Sequence, residues 1–110
     1  MGLAKAEIFT EEQNTIANYA KVFGHPARVA IIEYLVKANT CICGDLVGVI
    51  GLAQPTISQH LKELKNLGLI SGSVEGTSVC YCIHKENWRS MTQTLSTFLD
   101  VGLTLEDPCC

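Results

Sequence analysis

The sequence predicts a mainly α-helical fold with one small β-hairpin, on three observations. Four segments repeat apolar residues at the spacing of a helix face. Two short alternating segments flank Glu75-Gly76, as strands flank a turn. Gly51 separates a short helical segment from a longer one, the punctuation of a helix-turn-helix.

The elements follow in order. Residues 11–23 place Ile16, Tyr19, Ala20 and Phe23 on one stripe, and Thr10 stands where an N-cap is wanted. Gly24-His25-Pro26 breaks the chain. Pro26 then suits the first turn of a second helix, residues 26–37, with Val29, Ile32, Leu35 and Val36 at helical spacing. Residues 39–43 form a connector with room for a short extended piece. Residues 45–50 make a third, short helix, with Leu46 and Ile50 on one face, and Gly51 marks the turn. Residues 54–67 make the fourth, with Ile57, Leu61 and Leu64 inward, and Gly68 stops it. Residues 69–73 and 78–83 read as strands. Residues 86–102 form the last helix, with Trp88, Met91, Leu95, Phe98 and Leu99 on its apolar side. This order is that of a winged helix-turn-helix over residues 1–102, followed by a flexible tail, 103–110, that carries two cysteines.

The chain has 110 residues, enough for one domain with one core. At 47% hydrophobic and 17% charged it is globular, with fewer charges than an average domain. The apolar stripes of the first and last helices exceed what one small core can cover, so they are expected to meet in a homodimer. No apolar run reaches the length of a membrane span. Residues 1–6 lack the apolar core of a signal peptide, and Ala6 stands where myristoylation wants Ser or Thr. The expectation is a cytoplasmic protein with no membrane partner and reduced thiols. The net charge of −3 argues mildly against nucleic acid, but a local basic face is compatible with it, and Lys62 and Lys65 lie on the fourth helix.

The fourth helix carries the first functional pattern. Gln54, Thr56, Ser58, Gln59 and His60 fall on its outer face. Gln can bond adenine through two hydrogen bonds, and Ser or Thr can reach bases or phosphates. With Lys62, these six are the candidate DNA-binding residues, and double-stranded operator DNA is the expected partner.

Three stretches carry a resemblance: Val22-Phe23-Gly24-His25-Pro26-Ala27-Arg28, Gly51-Leu52-Ala53-Gln54-Pro55-Thr56-Ile57-Ser58-Gln59-His60-Leu61-Lys62, and Leu67-Gly68-Leu69-Ile70 with Glu75-Gly76. Together they resemble the ArsR/SmtB family of metal-responsive repressors, over about residues 15–90. The resemblance implies a dimer built from the first and last helices and a repressor released from DNA when metal binds. Two departures stand out. Ala53 occupies a cap position where the family usually has Ser or Thr, a loss of about 1 kcal/mol. The wing, residues 71–77, has no basic residue, so its phosphate contacts should be weak.

The second functional pattern is the cysteines, which fall in three tight pairs: Cys41/Cys43, Cys80/Cys82 and Cys109/Cys110. Arsenic-responsive members of the family carry Cys-Val-Cys-Asp-Leu at the start of the third helix. Cys41-Ile42-Cys43-Gly44-Asp45-Leu46 resembles it, with Gly44 inserted. Thiolates are soft ligands and select soft ions. Trivalent arsenic or antimony takes three thiolates in a pyramid, and one Cys-x-Cys pair supplies two. Residues two apart on a helix point nearly opposite ways. Both thiols therefore reach one ion only where the helix start unwinds or the pair precedes it, and Gly44 permits that bend. The third thiolate comes either from Cys109 or Cys110, on a tail spanning at most about 25 Å, or from Cys80 and Cys82, about 6.6 Å apart on one strand face. Cys41, Cys43, Cys109 and Cys110 are the candidate metal ligands.

The histidines carry less. His25 is expected to cap the second helix, His60 to face DNA and His84 to be solvated. Asp100 and Glu106 alone do not make the zinc site of zinc-responsive members. The sequence thus reads as a repressor induced by trivalent arsenic or antimony, with no catalytic cofactor. The alternative keeps the fold and makes the cysteines a redox or reactive-sulfur sensor. No nucleophile–base signature supports an enzyme.

Overall fold

The computed structural model describes residues 8–43, 46–73 and 80–106, apart from the side chains of Cys43 and Ser73. Among the described residues the elements follow in the order α1 (Glu11–Val22), α2 (Pro26–Ala38), β1 (Ile42–Cys43), α3 (Val47–Ile50), α4 (Gln54–Asn66), β2 (Ile70–Ser73), β3 (Cys80–Ile83) and α5 (Lys85–Gly102).

Local chemistry sets the helix ends. Thr10 closes a capping box with Gln13, each side chain accepting from the other's backbone N–H at 3.0 Å. His25 caps α2 through Nδ1, which accepts from the Ala27 N–H at 3.0 Å, with Pro26 in the first turn. Gly51 and Gly68 take positive φ, 87° and 84°, where the chain must turn sharply out of α3 and α4. After α4 the Leu69 N–H reaches back to the Leu64 carbonyl at 3.0 Å, so the chain leaves the helix in a fixed direction.

The core forms where these helices meet the sheet. Ile57, Leu61 and Leu64 of α4 are buried as their spacing requires, together with Ile31, Ile32 and Leu35 of α2, Leu46, Tyr81 and Met91. Helix α2 departs from its expected stripe. Ala27, Ile31, Ile32 and Leu35 turn inward, leaving Val29 and Val36 exposed. Helix α5 divides its stripe: Met91 is buried and Trp88 and Leu95 pack on the core, but Phe98 and Leu99 are 53% and 64% exposed.

Three boundaries shift from expectation. The third helix starts at Val47 with Leu46 as its cap, and Asp45 lies outside the described residues. The connector ends in a strand, so the hairpin has a third partner. The order is β1-β3-β2, antiparallel throughout. His84 is half-buried rather than solvated and caps α5, Nδ1 accepting from the Asn87 N–H at 3.2 Å. The Glu75-Gly76 turn, Cys109 and Cys110 lie outside the described residues.

Candidate functional site

Helix α4 presents its polar face because its other face is fixed in the core. Gln54, Thr56, Gln59 and Lys62 are exposed. Ser58 is half-buried beside Gln54, whose Nε2 donates to Ser58 Oγ at 3.1 Å. That bond links two base-reading candidates one helical turn apart. Ala53 caps the helix without a side-chain hydrogen bond, as the departure from Ser or Thr implied.

His60 turns away from the face assigned to it. It is half-buried, its ring centroid lies 4.6 Å from that of His25, and its Nδ1 accepts from Arg28 Nε at 3.2 Å. Arg28 also donates to Glu63 Oε2 and to the Lys21 carbonyl, each at 2.6 Å. One guanidinium thus joins the end of α1, the start of α2 and the middle of α4. Burial lowers the His60 pKa, and the neighbouring His25 and Arg28 charges lower it further. A neutral imidazole is what accepting from Arg28 requires. His60 thereby ties α4 to the start of α2. The signal in the sequence was its spacing from Glu63: three residues apart, the two share a helix face that one cation can engage.

The second constellation arises from strand pairing. Ile42 stands opposite Tyr81 and Cys43 opposite Cys80 in the β1–β3 register. One step outward, Cys41 and Cys82 line the same groove. The neighbouring Cys82 thiol raises the Cys41 pKa, with desolvation and the Cys82 charge adding to it. Cys41 is exposed and Cys82 half-buried, and both are free thiols. On the far side of β3, Ser71 Oγ lies 3.8 Å from Cys82 Sγ. Cys80 is disulfide-bonded, which corrects the expectation that every thiol is free.

The register thus brings two Cys-x-Cys segments together, one from the connector and one from the wing. The sequence offered the wing pair as one of two possible complements to the connector pair, and the register sets the two segments side by side. Cys41 and Cys43 precede α3, which removes the conflict with helical side-chain directions. Among the described side chains no group of three His, Cys, Asp or Glu is placed to hold a metal ion.

A groove of about 710 Å³ opens beside this pair, between the end of α2 and the start of α5. Both thiols line it, along with Leu35, Val36, Ile83 and Trp88. Trp88 is held edge-on by Phe23, centroids 6.3 Å apart at 80°. No helix among the described residues is long and apolar enough to cross a membrane.

Residues 25–71 match the family described as "Bacterial regulatory protein, arsR family". The chain is 35% identical over 74 residues to an uncharacterised HTH-type transcriptional regulator of Methanocaldococcus jannaschii, covering 66% of this chain and 82% of that one. It is 28% identical over 81 residues to the cadmium resistance transcriptional regulatory protein CadC of Listeria innocua, covering 73% and 67%. The crystal structure of the ArsR family transcriptional regulator RHA00566 superposes with a TM-score of 0.68, covering 89% of this chain and all of that one at 16% identity, which shows a shared fold. The stretches that flank the reading helix, the wing topology and these matches agree: the chain belongs to the ArsR/SmtB family of winged helix-turn-helix transcriptional repressors and is not an enzyme.

Proposed function

We propose that the chain works as a homodimeric repressor that leaves operator DNA when trivalent arsenic or antimony binds its thiols. The observation that carries this reading is the pairing of β1 with β3, which sets Cys43 opposite Cys80 and brings Cys41 and Cys82 to the wall of one groove. The donor set is soft, and its connector half, Cys41 and Cys43, lies on the segment that leads into α3, the helix before the reading helix. The likeness to the Listeria cadmium resistance regulator supports a soft ion as the signal. Cys41 and Cys43 supply the connector's thiolates. Cys82 supplies the third, in preference to the tail thiols Cys109 and Cys110.

Helix α4 reads DNA with Gln54, Thr56, Ser58 and Gln59, and Lys62 meets phosphate. Ligand binding draws β1 and β3 together at their thiol edge and strains the short link to α3. The reading helices of the dimer then lose their spacing, about 34 Å for successive major grooves. Phe98 and Leu99 on α5, with Phe9 and Phe23 near α1, supply the exposed apolar surface for the dimer.

The test is an anaerobic titration of the reduced, operator-bound protein with arsenite. Wild type should release DNA. Cys41→Ser, Cys43→Ser and Cys82→Ser should bind DNA normally and fail to release it, and Cys109→Ser should respond as wild type. Release lost only in the tail variant would move the third ligand there. A second reading has one observation in its favour, the disulfide at Cys80. In it, oxidation is the signal, and peroxide rather than arsenite releases the operator.

A further inference from the structure

We propose that His60 is a positioning residue for DNA recognition and that a proton competes with operator DNA for it. The Arg28–His60 bond sets the roll of α4, and a protonated ring breaks that bond. The inference rests on the reading of α4 as the DNA-reading helix and makes acid a signal separate from the thiols.

The hydrogen bonds fix the protonation state. His60 Nδ1 accepts from Arg28 Nε at 3.2 Å, and His25 Nδ1 accepts from the Ala27 N–H at 3.0 Å. Each neutral ring therefore holds its proton on Nε2, and an added proton lands on the nitrogen that accepts. On His60 this sets two donors facing each other, beside a guanidinium that keeps its charge. The two ring centroids lie 4.6 Å apart, so charging both rings is costly as well.

The surrounding groups do not compensate. The Lys21 carbonyl at the end of α1, His25 and Arg28 at the start of α2, and Glu63 on α4 make up this cluster. Glu63 is its carboxylate, but Arg28 already engages it at 2.6 Å. Burial lowers the His60 pKa first, the His25 and Arg28 charges lower it further, and Glu63 opposes them.

His60 lies where a small rotation counts. Gln59 before it is exposed on the reading face, and Leu61 after it is buried in the core. Ile57, Leu61 and Leu64 hold α4 by apolar contact, which has no direction and resists rolling poorly. The Arg28 bond is directional and resists it. A charged, half-buried ring turns toward water and takes the Gln59 side of the helix with it. Linkage is reciprocal: if a proton disfavours operator, bound operator disfavours the proton.

The experiment uses the full, reduced chain without metalloid. Its probe is a duplex selected by the chain from a random pool near neutral pH, with an unrelated duplex of equal length as control. Circular dichroism confirms that the chain stays folded across the pH range. As pH falls from well above to well below the ordinary histidine value, about 6.5, affinity for the selected duplex should drop at least about fivefold. Affinity for the unrelated duplex should hold or rise, since acid only adds positive charge. His60→Ala should bind the selected duplex weakly at every pH. His60→Asn, whose Oδ1 stands near the place of Nδ1, should recover specific binding without the acid response. His25→Asn keeps an N-cap and removes the neighbouring charge, so the acid loss should persist with its midpoint moved to higher pH. Parallel weakening on both duplexes, or an acid loss that survives in His60→Asn, would overturn the inference and leave α4 as the reader. If the chain selects no duplex, the DNA-reading assignment of α4 fails and takes this inference with it.

Discussion

Arg28 shows how one side chain can hold the reading helix. Its contacts to the Lys21 carbonyl, Glu63 and His60 are three separate ties between helices. Arg28→Ala leaves Glu63 without its ion-pair partner and removes one donor from the Lys21 carbonyl, which keeps the Gly24 N–H at 3.2 Å. Denaturant unfolding should show a loss of about 1–3 kcal/mol. The His60 link gives a pH dependence whose sign is fixed. Its pKa is lowered in the folded chain, so protons bind the unfolded chain more readily. This contribution is fully present above the ordinary histidine value, about 6.5, and is lost as pH falls through the lowered folded value. His60→Gln should flatten that acid limb of the stability profile, and an unchanged limb would show that another group titrates there. Ala53 offers the opposite case: Ala53→Ser restores a missing N-cap and should raise stability by about 1 kcal/mol without changing the fold.

At the scale of elements, α4 and β1 differ in how much the sequence disclosed. Helix α4 was legible because its signals are local: Gly51 before it, Gly68 after it and Ile57, Leu61 and Leu64 at helical spacing. The caps at Thr10 and His25 were legible for the same reason. Strand β1 was legible only as a short extended piece in the connector; its pairing was not, because two residues carry no period and its partner Tyr81 lies far along the chain. The meeting of Cys41 with Cys82 depends on that register, so the sequence could offer the wing pair only as an alternative to the tail pair. His60 escaped for a related reason, since its partner Arg28 is 32 residues away. Within the wing, Gly72 has φ 116°, and a Cβ there would collide with the Cys80 carbonyl. Gly72→Ala should therefore disturb the β2–β3 pairing and, with it, the position of Cys82. On α4, Gln54→Ala should weaken specific operator binding more than nonspecific binding. Lys62→Ala should reduce the salt slope by about 1, and equal losses on both DNAs in the Gln54 variant would remove its base-reading role.

At the scale of the whole molecule, the proposal needs a dimer and a path from the thiols to the reading helices. Phe98 and Leu99 leave more apolar surface exposed on α5 than an isolated helix end requires. Phe98→Glu with Leu99→Glu should give folded monomers by sedimentation, with operator affinity reduced at least about a hundredfold. Leu95 is a poorer probe, because it packs on the core and a charge there would also unfold the chain. The path runs from Cys41 and Cys82 through β1 to α3 and α4, and a coupling of about 1–3 kcal/mol is ordinary for such a switch. The most direct test is a double-mutant cycle on the arsenite-induced change in operator affinity, using Cys41→Ser, Cys82→Ser and the pair under reducing conditions. If the two thiols act as one site, each single variant loses the response as completely as the double variant, and apo affinity is unchanged in all three. Losses that add independently, or a full response in Cys82→Ser, would contradict a sensor built across the β1–β3 ladder.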